Sequence, residues 1–203
     1  MEGADCPRTS PASGRRNERG SPRRGGRAMS AVVEIPTLTT ERLTLRAPKP
    51  SDFEAFAAFR ASPRAVHVGG PHGRREAFMS FCALWGHWAM RGFGRWIVAD
   101  RTTDAPLGVV GPLYPEDWPE REIAWSVFEG AEGRGIAYEA AVAARRYAYE
   151  TLGWTTAISL IVEGNERSIA LAKRLGCVWE RDHEHPEFGR MPLWRHPGPE
   201  ASA

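Results

Sequence analysis

What this chain lacks narrows it first. It has only three cysteines, Cys6, Cys82 and Cys177. They are too few for a closed disulfide framework, and none forms a CxxC pair. A reduced, cytoplasmic protein is the expectation. No stretch approaches the ~20 unbroken apolar residues of a membrane helix. The first residues lack the apolar run of a secretory signal. Internal repeats are absent. No glycine loop continues into G-K-[ST] or completes G-x-G-x-x-G, which sets aside a Walker loop and a dinucleotide fingerprint. His183-Glu184-His185 lacks further ligands, so exposed histidines and no metal are expected there. Net charge is scarce too, +2 at neutral pH, and it is uneven. Residues 1–30 hold seven Arg against three acids, hence +4, which leaves −2 for the rest. Such a body is no basic nucleic-acid binder.

What is present suits one globular domain. The 203 residues are 42% apolar, enough for a full core. Residues 1–30, rich in Arg, Gly, Pro and Ser, bury too little to offset their ordering entropy and read as a disordered basic tail. The tail is either an arm for RNA or acidic surfaces, or an extension ahead of a true start at Met29. A folded domain is expected over 37–197, with 198–203 frayed.

Periodicity supplies the elements. Residues 42–46 alternate as a strand. Ser51 to Glu54 reads as a capping box opening a helix that Pro63 stops. A turn at 68–73 leads to a second helix, with Phe78, Phe81, Trp85 and Trp88 as its inner stripe. Residues 95–99 and 107–111 form a hairpin. The next strand, 122–128, turns Ile123, Trp125 and Val127 to one face and Glu122, Ala124, Ser126 and Phe128 to the other. Then come a glycine loop at 130–135 and a helix carrying Ile136, Ala140, Ala144, Ala148 and Leu152 on one side. A buried strand at 158–162 completes a βαβ unit. Asn165 caps a helix over 166–175, and strands at 177–181 and 190–195 close the domain around a polar linker.

The most informative segment is Glu132-Gly133-Arg134-Gly135-Ile136-Ala137. Glycines let backbone approach a ligand closely, and the following helix aims free N–H groups and its positive dipole end at that spot. A pyrophosphate fits such a place; an ordinary glycine-rich turn is the bland alternative.

This segment resembles the R/Q-x-x-G-x-G/A motif of the GNAT N-acetyltransferase superfamily, with Glu132 standing where that family has Arg or Gln. Asn165-Glu-Arg-Ser168, running on to Leu175-Gly176, is similar to the family's N-x-x-S helix. The segments 38–46 and 92–98 also look like this family, in the branch resembling ribosomal-protein N-terminal acetyltransferases. The resemblance implies an α/β (α+β) fold with a mixed, mostly antiparallel sheet of about seven strands and four flanking helices. Its fourth and fifth strands, here 121–128 and 156–162, would splay apart. Acetyl-CoA would lie in the splay, its pantetheine arm pairing with the exposed strand edge and its diphosphate on Gly133, Arg134, Gly135, Ile136 and Ala137. Main-chain N–H groups at Val127 and Phe128 would polarise the thioester, and Asn165 and Ser168 would touch the pantetheine arm.

For acetyl transfer to an amine in a ternary complex, Glu122 is the candidate general base, acting through water; the alternative is a surface carboxylate paired with Arg121 or Arg95. Ser168 is the candidate partner of the leaving sulfur. The position of the family's acid Tyr holds Ala172, and nothing puts Tyr138 or Tyr147 at the sulfur. Gly69 to His72 would form a lid over the acceptor. Competing readings are a non-catalytic acyl-CoA sensor and an RNA-associated protein using its tail. The acceptor is a small-molecule amine or a protein N-terminus, with no membrane partner, and the protein is a monomer or homodimer.

Overall fold

The computed structural model describes residues 33–201; the expected tail over 1–30 lies outside the described residues. The described residues form eight strands: β1 Leu38–Thr39, β2 Leu43–Arg46, β3 Trp96–Asp100, β4 Pro106–Leu113, β5 Glu122–Val127, β6 Ile158–Leu160, β7 Val178–His185 and β8 Gly189–Arg195. They form one sheet in the order β1-β2-β3-β4-β5-β6-β8-β7. The strand beyond the expected seven is β1, two residues long and on the edge. Four α-helices flank the sheet: α1 Phe53–Ala61, α2 Arg74–Arg91, α3 Ile136–Glu150 and α4 Glu166–Arg174. Among the described residues no helix is long and apolar enough to cross a membrane.

Strand alternation divides the core. Trp96, Val98, Val110 and Ile123 pack with the small face of α3, Ala140, Ala141, Ala144 and Ala148. Ile97, Val109 and Phe128 turn the other way and pack with Phe56, Phe59, Phe81 and Leu84 of α1 and α2. Alanines on α3 let that helix lie close to the sheet, so its position relative to β5 is tightly set.

Every neighbouring pair is antiparallel except β5 and β6, which are parallel and meet at one register pair, Glu122↔Ile158. Here the expected splay appears, and its cause is visible. Ile158 N–H donates to the Arg121 carbonyl at 3.1 Å. In a parallel ladder the next bond would run from Leu160 N–H to the Ile123 carbonyl. Instead Leu160 N–H donates to Glu122 Oε1 at 3.1 Å, and Ser159 Oγ donates to the Ile123 carbonyl at 2.7 Å. Two side chains thus satisfy both backbone groups and stop the ladder. Behind them His196 Nε2 donates to Ser159 Oγ at 2.9 Å, and Arg145 Nη1 donates to the Leu175 carbonyl at 2.7 Å and faces His196 Nδ1 at 3.4 Å. Burial, then the charges of Arg145 and Arg195, press the His196 pKa down to about 3, so it is neutral.

Several expectations need correction. Asp52, not Ser51, precedes α1, and no capping side-chain bond forms there. Asp52 is instead drawn into the core by Arg46, at 2.8 and 2.9 Å, while Glu54 pairs with Arg74. The buried stripe of α2 is Ala77, Phe81, Leu84 and Trp88. Phe78 and Trp85 are exposed. Both stripes have spacings of three and four; the one beginning with small Ala77 fits against the sheet, and Phe78 stacks edge-on against Phe53 at 5.5 Å. The polar linker at 182–189 is mostly strand, because β7 and β8 pair down to His185↔Gly189. His185 is buried rather than exposed: its Nδ1 accepts from Glu187 and Phe188 N–H and its Nε2 donates to Asp117, so it caps the hairpin turn. Within the segment expected to fray, Pro199–Ala201 forms a 3-10 turn.

Candidate active site

Beyond Glu122, β5 has no strand beside it on the β6 side. Although central in the sheet, Ala124 to Val127 are only partly buried. Phe128 N–H donates to the Leu107 carbonyl at 2.8 Å. Given antiparallel alternation, the backbone groups of Ser126 and Ala124 also face β4, whereas those of Ile123, Trp125 and Val127 face the splay. Phe128 therefore cannot present its N–H to a ligand there, and its ring is buried against α1. Trp125 and Val127 are the residues that turn main-chain groups into the open splay, the Val127 carbonyl being held there by Arg64.

A cleft of about 1010 Å³ opens at this edge. Its walls include Trp125, Ser126 and Val127, the loop residues Gly133 and Gly135, the start of α3 at Ile136 and Ala137, and Asn165 and Ser168 of α4. Gly135 is the N-cap of α3 at φ 77, and no side chain caps the helix. The left-handed backbone is what glycine permits without strain. The first bond closing the helix runs from Glu139 N–H to the Gly135 carbonyl, so the N–H groups of the first turn are available for an anion. Arg134 projects elsewhere: it lines a separate crevice with Arg42, Asp100 and Arg101.

On α4, Asn165 Oδ1 accepts from Ser168 N–H at 3.2 Å, a true N-cap. Ser168 Oγ accepts from Trp125 Nε1 at 3.2 Å, which leaves its hydroxyl proton for a ligand in the cleft. Ala172 is fully buried, and Tyr147 stacks on Trp96 at 5.1 Å, far from the cleft's polar wall. Tyr138 stands at the rim under Arg174, 4.5 Å from its guanidinium. Cys177 is buried, and desolvation pushes its thiol up to about 12, so it is no nucleophile.

Sequence reasoning missed Arg64. It reaches from the 3-10 turn Pro63–Val68, its Nη2 donates to the Val127 carbonyl at 3.1 Å, and its Nη1 lies 2.5 Å from Glu132 Oε1. Glu132 puts a negative charge into a loop shaped for an anion; Arg64 neutralises it. Nothing local in the sequence pairs these two residues.

Glu122 lies at the vertex of the splay, on the opposite face of β5 from Trp125 and outside the wall of the large cleft. It is buried, which the surface-carboxylate alternative did not foresee. Trp118 Nε1 and Leu160 N–H donate to its two oxygens. Desolvation outweighs these bonds and the nearby Arg95, and its pKa rises to about 7. Such a carboxyl changes protonation near neutrality, as a general base requires. Above it the loop from Gly69 to His72 meets the β7–β8 hairpin: a Cβ on Gly69 would lie 3.1 Å from the Phe188 ring. That loop is tied down by Gly70 N–H to the Ala65 carbonyl and His72 N–H to the Arg60 carbonyl, both 2.8 Å. Both bonds anchor the loop to α1 and the turn that follows it.

An uncapped helix start beneath an unpaired strand edge is a cleft for a nucleotide-bearing thioester, and this architecture defines an acyl-CoA-dependent acyltransferase. Residues 42–178 match the family model described as the acetyltransferase (GNAT) domain, and the chain belongs to this family. It is similar to the acetyltransferase from Agrobacterium tumefaciens, at 38% identity over 81% of this chain and 95% of that one, with a TM-score of 0.74. The fold is shared with RimL, a ribosomal L7/L12 α-N-protein acetyltransferase solved with coenzyme A (14% identity, 79% and 97% covered, TM-score 0.66). It is shared also with the ribosomal-protein-S5-alanine acetyltransferase from Vibrio fischeri (15%, 82% and 98%, 0.61). The protein is thus an acetyltransferase, and acetyl-CoA is its acyl donor; the sensor reading falls away. No group of side chains able to hold a metal occurs among the described residues.

Proposed function

We propose that this enzyme acetylates a primary amine, on a small molecule or a protein N-terminus, by direct attack within a ternary complex. The observation that carries this reading is the pairing of an open β5 edge with a buried carboxylate of pKa about 7 at the vertex of the same splay. The diphosphate rests on main-chain N–H groups from Gly133 to Ala137, while pantetheine pairs with Trp125 and Val127 and displaces Arg64 from the Val127 carbonyl. Asn165 and Ser168 line the other side of the arm.

Glu122 and Trp125 lie three steps apart along the strand, roughly 10 Å, so the carboxylate acts through water. It removes a proton from the amine, whose ordinary pKa is near ~8 for a peptide α-amine. The nitrogen forms its bond to the acetyl carbon; the Trp125 N–H group, nearer the vertex, stabilises the oxyanion while Val127 pairs with the arm. The C–S bond then breaks, and the Ser168 hydroxyl donates a hydrogen bond to the departing thiolate. The branch of ribosomal-protein acetyltransferases agrees with the shared fold and favours peptide N-termini among the candidate acceptors. Turnover with acetyl-CoA and an amine panel, read by free thiol, tests the reading. Glu122→Gln with unaltered turnover at every pH removes the base assignment.

A further inference from the structure

On the acceptor face of the sheet, the register puts a row of small residues between two long charged ones. Trp96↔Val110 and Ile97↔Val109 continue to Arg95 beside Gly111, and Gly111 pairs with Ala124. Leu113 pairs with Glu122 in the next row. Gly111 is held at φ 149, and a Cβ there would lie 2.8 Å from the Arg95 backbone. Ile97 packs on the α1–α2 side, so Arg95, two residues earlier, shares the Glu122 face. Gly111 thus lets β3 and β4 close up beside Arg95, Ala124 leaves only a methyl group between Arg95 and Glu122 on this face, and Arg95 keeps part of its surface open to solvent.

The charges on this face do not balance. The Arg95 carbonyl accepts from Trp88 Nε1 at 3.2 Å, while no hydrogen bond or ion pair engages its guanidinium among the described residues. Burial draws its pKa down to about 10, and the charges it senses are those of Glu122 and Arg60. Arg60 donates Nη1 to the Val68 carbonyl at 2.8 Å, while its Nε is buried without a partner. Arg95 therefore senses one carboxyl and one further guanidinium, and that carboxyl is itself half protonated near pH 7. A guanidinium drawn partly out of water without a paired anion favours a ligand that brings one. The coenzyme diphosphate sits at the other end of β5 and cannot supply it.

We propose that the counter-charge comes with the acceptor: the substrate amine carries a carboxylate close to its nitrogen, which Arg95 takes with support from Arg60. This rests on the reading of Glu122 as the base beside the amine. Guanidinium suits the task, because its planar fork meets a carboxylate with two parallel bonds.

The test is a set of amines offered as matched pairs, free amino acids against their carboxamides, and Ala-Asp against Ala-Asn at a peptide N-terminus. The acid member should be preferred at least tenfold in kcat/KM, and Arg95→Gln or Arg60→Gln should bring that ratio towards one. Calorimetric titration of the coenzyme A complex with the N-acetylated acid and amide reads the same preference without turnover. Poor catalysis with retained acid preference would count against Glu122 as base and leave charge recognition standing. Equal handling of acid and amide by the wild-type protein overturns the proposal. So does an unchanged ratio in Arg95→Gln with only a displaced pH profile, because Arg95 would then serve merely as the counter-ion of Glu122.

Discussion

The two ends of β5 are made of different material. At the Val127 end the site is backbone: strand-edge amides, a glycine at φ 77 and an uncapped helix start. At the Glu122 end it is side chains, a buried carboxyl with Trp118, Ser159 and Arg95 around it. A backbone site tolerates most substitutions and fails only where geometry changes. A side-chain site depends on each residue's chemistry and titrates with pH. The first suits a donor shared by a whole family, the second an acceptor particular to one member.

Substitutions at the two ends should separate donor binding from chemistry. Glu122→Gln is expected to have the largest effect, lowering kcat/KM by roughly 100-fold or more while coenzyme affinity holds, since positioned bases contribute about 10²–10⁴. In the wild type kcat/KM should rise with pH through a limb near 7, and that limb should vanish in the variant. Stability runs the opposite way. The folded pKa lies above the ordinary value, so this carboxyl's stabilising contribution is full below about 4.5 and is lost as pH rises through about 7. Thermal melts from pH 5 to 8 should show the decline, and Glu122→Gln should flatten it.

At the backbone end, Gly135→Ala should weaken coenzyme binding by about tenfold, because a side chain at positive φ costs roughly 1–2 kcal/mol; calorimetry reads it. Arg64→Ala should have a slightly smaller effect by leaving Glu132 unbalanced beside the diphosphate. Glu132→Gln in the same chain should restore most of the loss, a coupling that a double-mutant cycle measures. Ser168→Ala should slow turnover only a few-fold, as a lost hydrogen bond of about 1 kcal/mol implies. Asn165→Ala should cost about 1 kcal/mol of stability through its cap, visible as a drop of a few degrees in Tm.

The same contrast explains what could be read from sequence. The glycine turn before α3 and the Asn165 cap were legible because glycine spacing, helix starts and caps act within a few residues. Alternation likewise gave the faces of β5 and the inner side of α3. Phe128 was misjudged because neighbouring backbone amides point in opposite directions, and only the register with β4 decides which is free. Arg64 meets Val127 across 63 residues, and Ser159 meets His196 across 37; no local period announces such pairs. Glu122's burial was invisible for the same reason, since it depends on Trp118 and β6 closing over it. The displaced stripe on α2 shows that periodicity gives a helix but leaves its rotation to tertiary packing.

The interrupted ladder between β5 and β6 has a consequence for how this enzyme can change. Glu122 and Ser159 act as wedges: each occupies a hydrogen-bonding group that would otherwise zip the strands together. Shortening either one frees Ile123 and Leu160 to find each other, and the slot for the donor would narrow from its root. Drift at position 122 is therefore checked twice, once by the proton transfer proposed for it and once by the width of the opening.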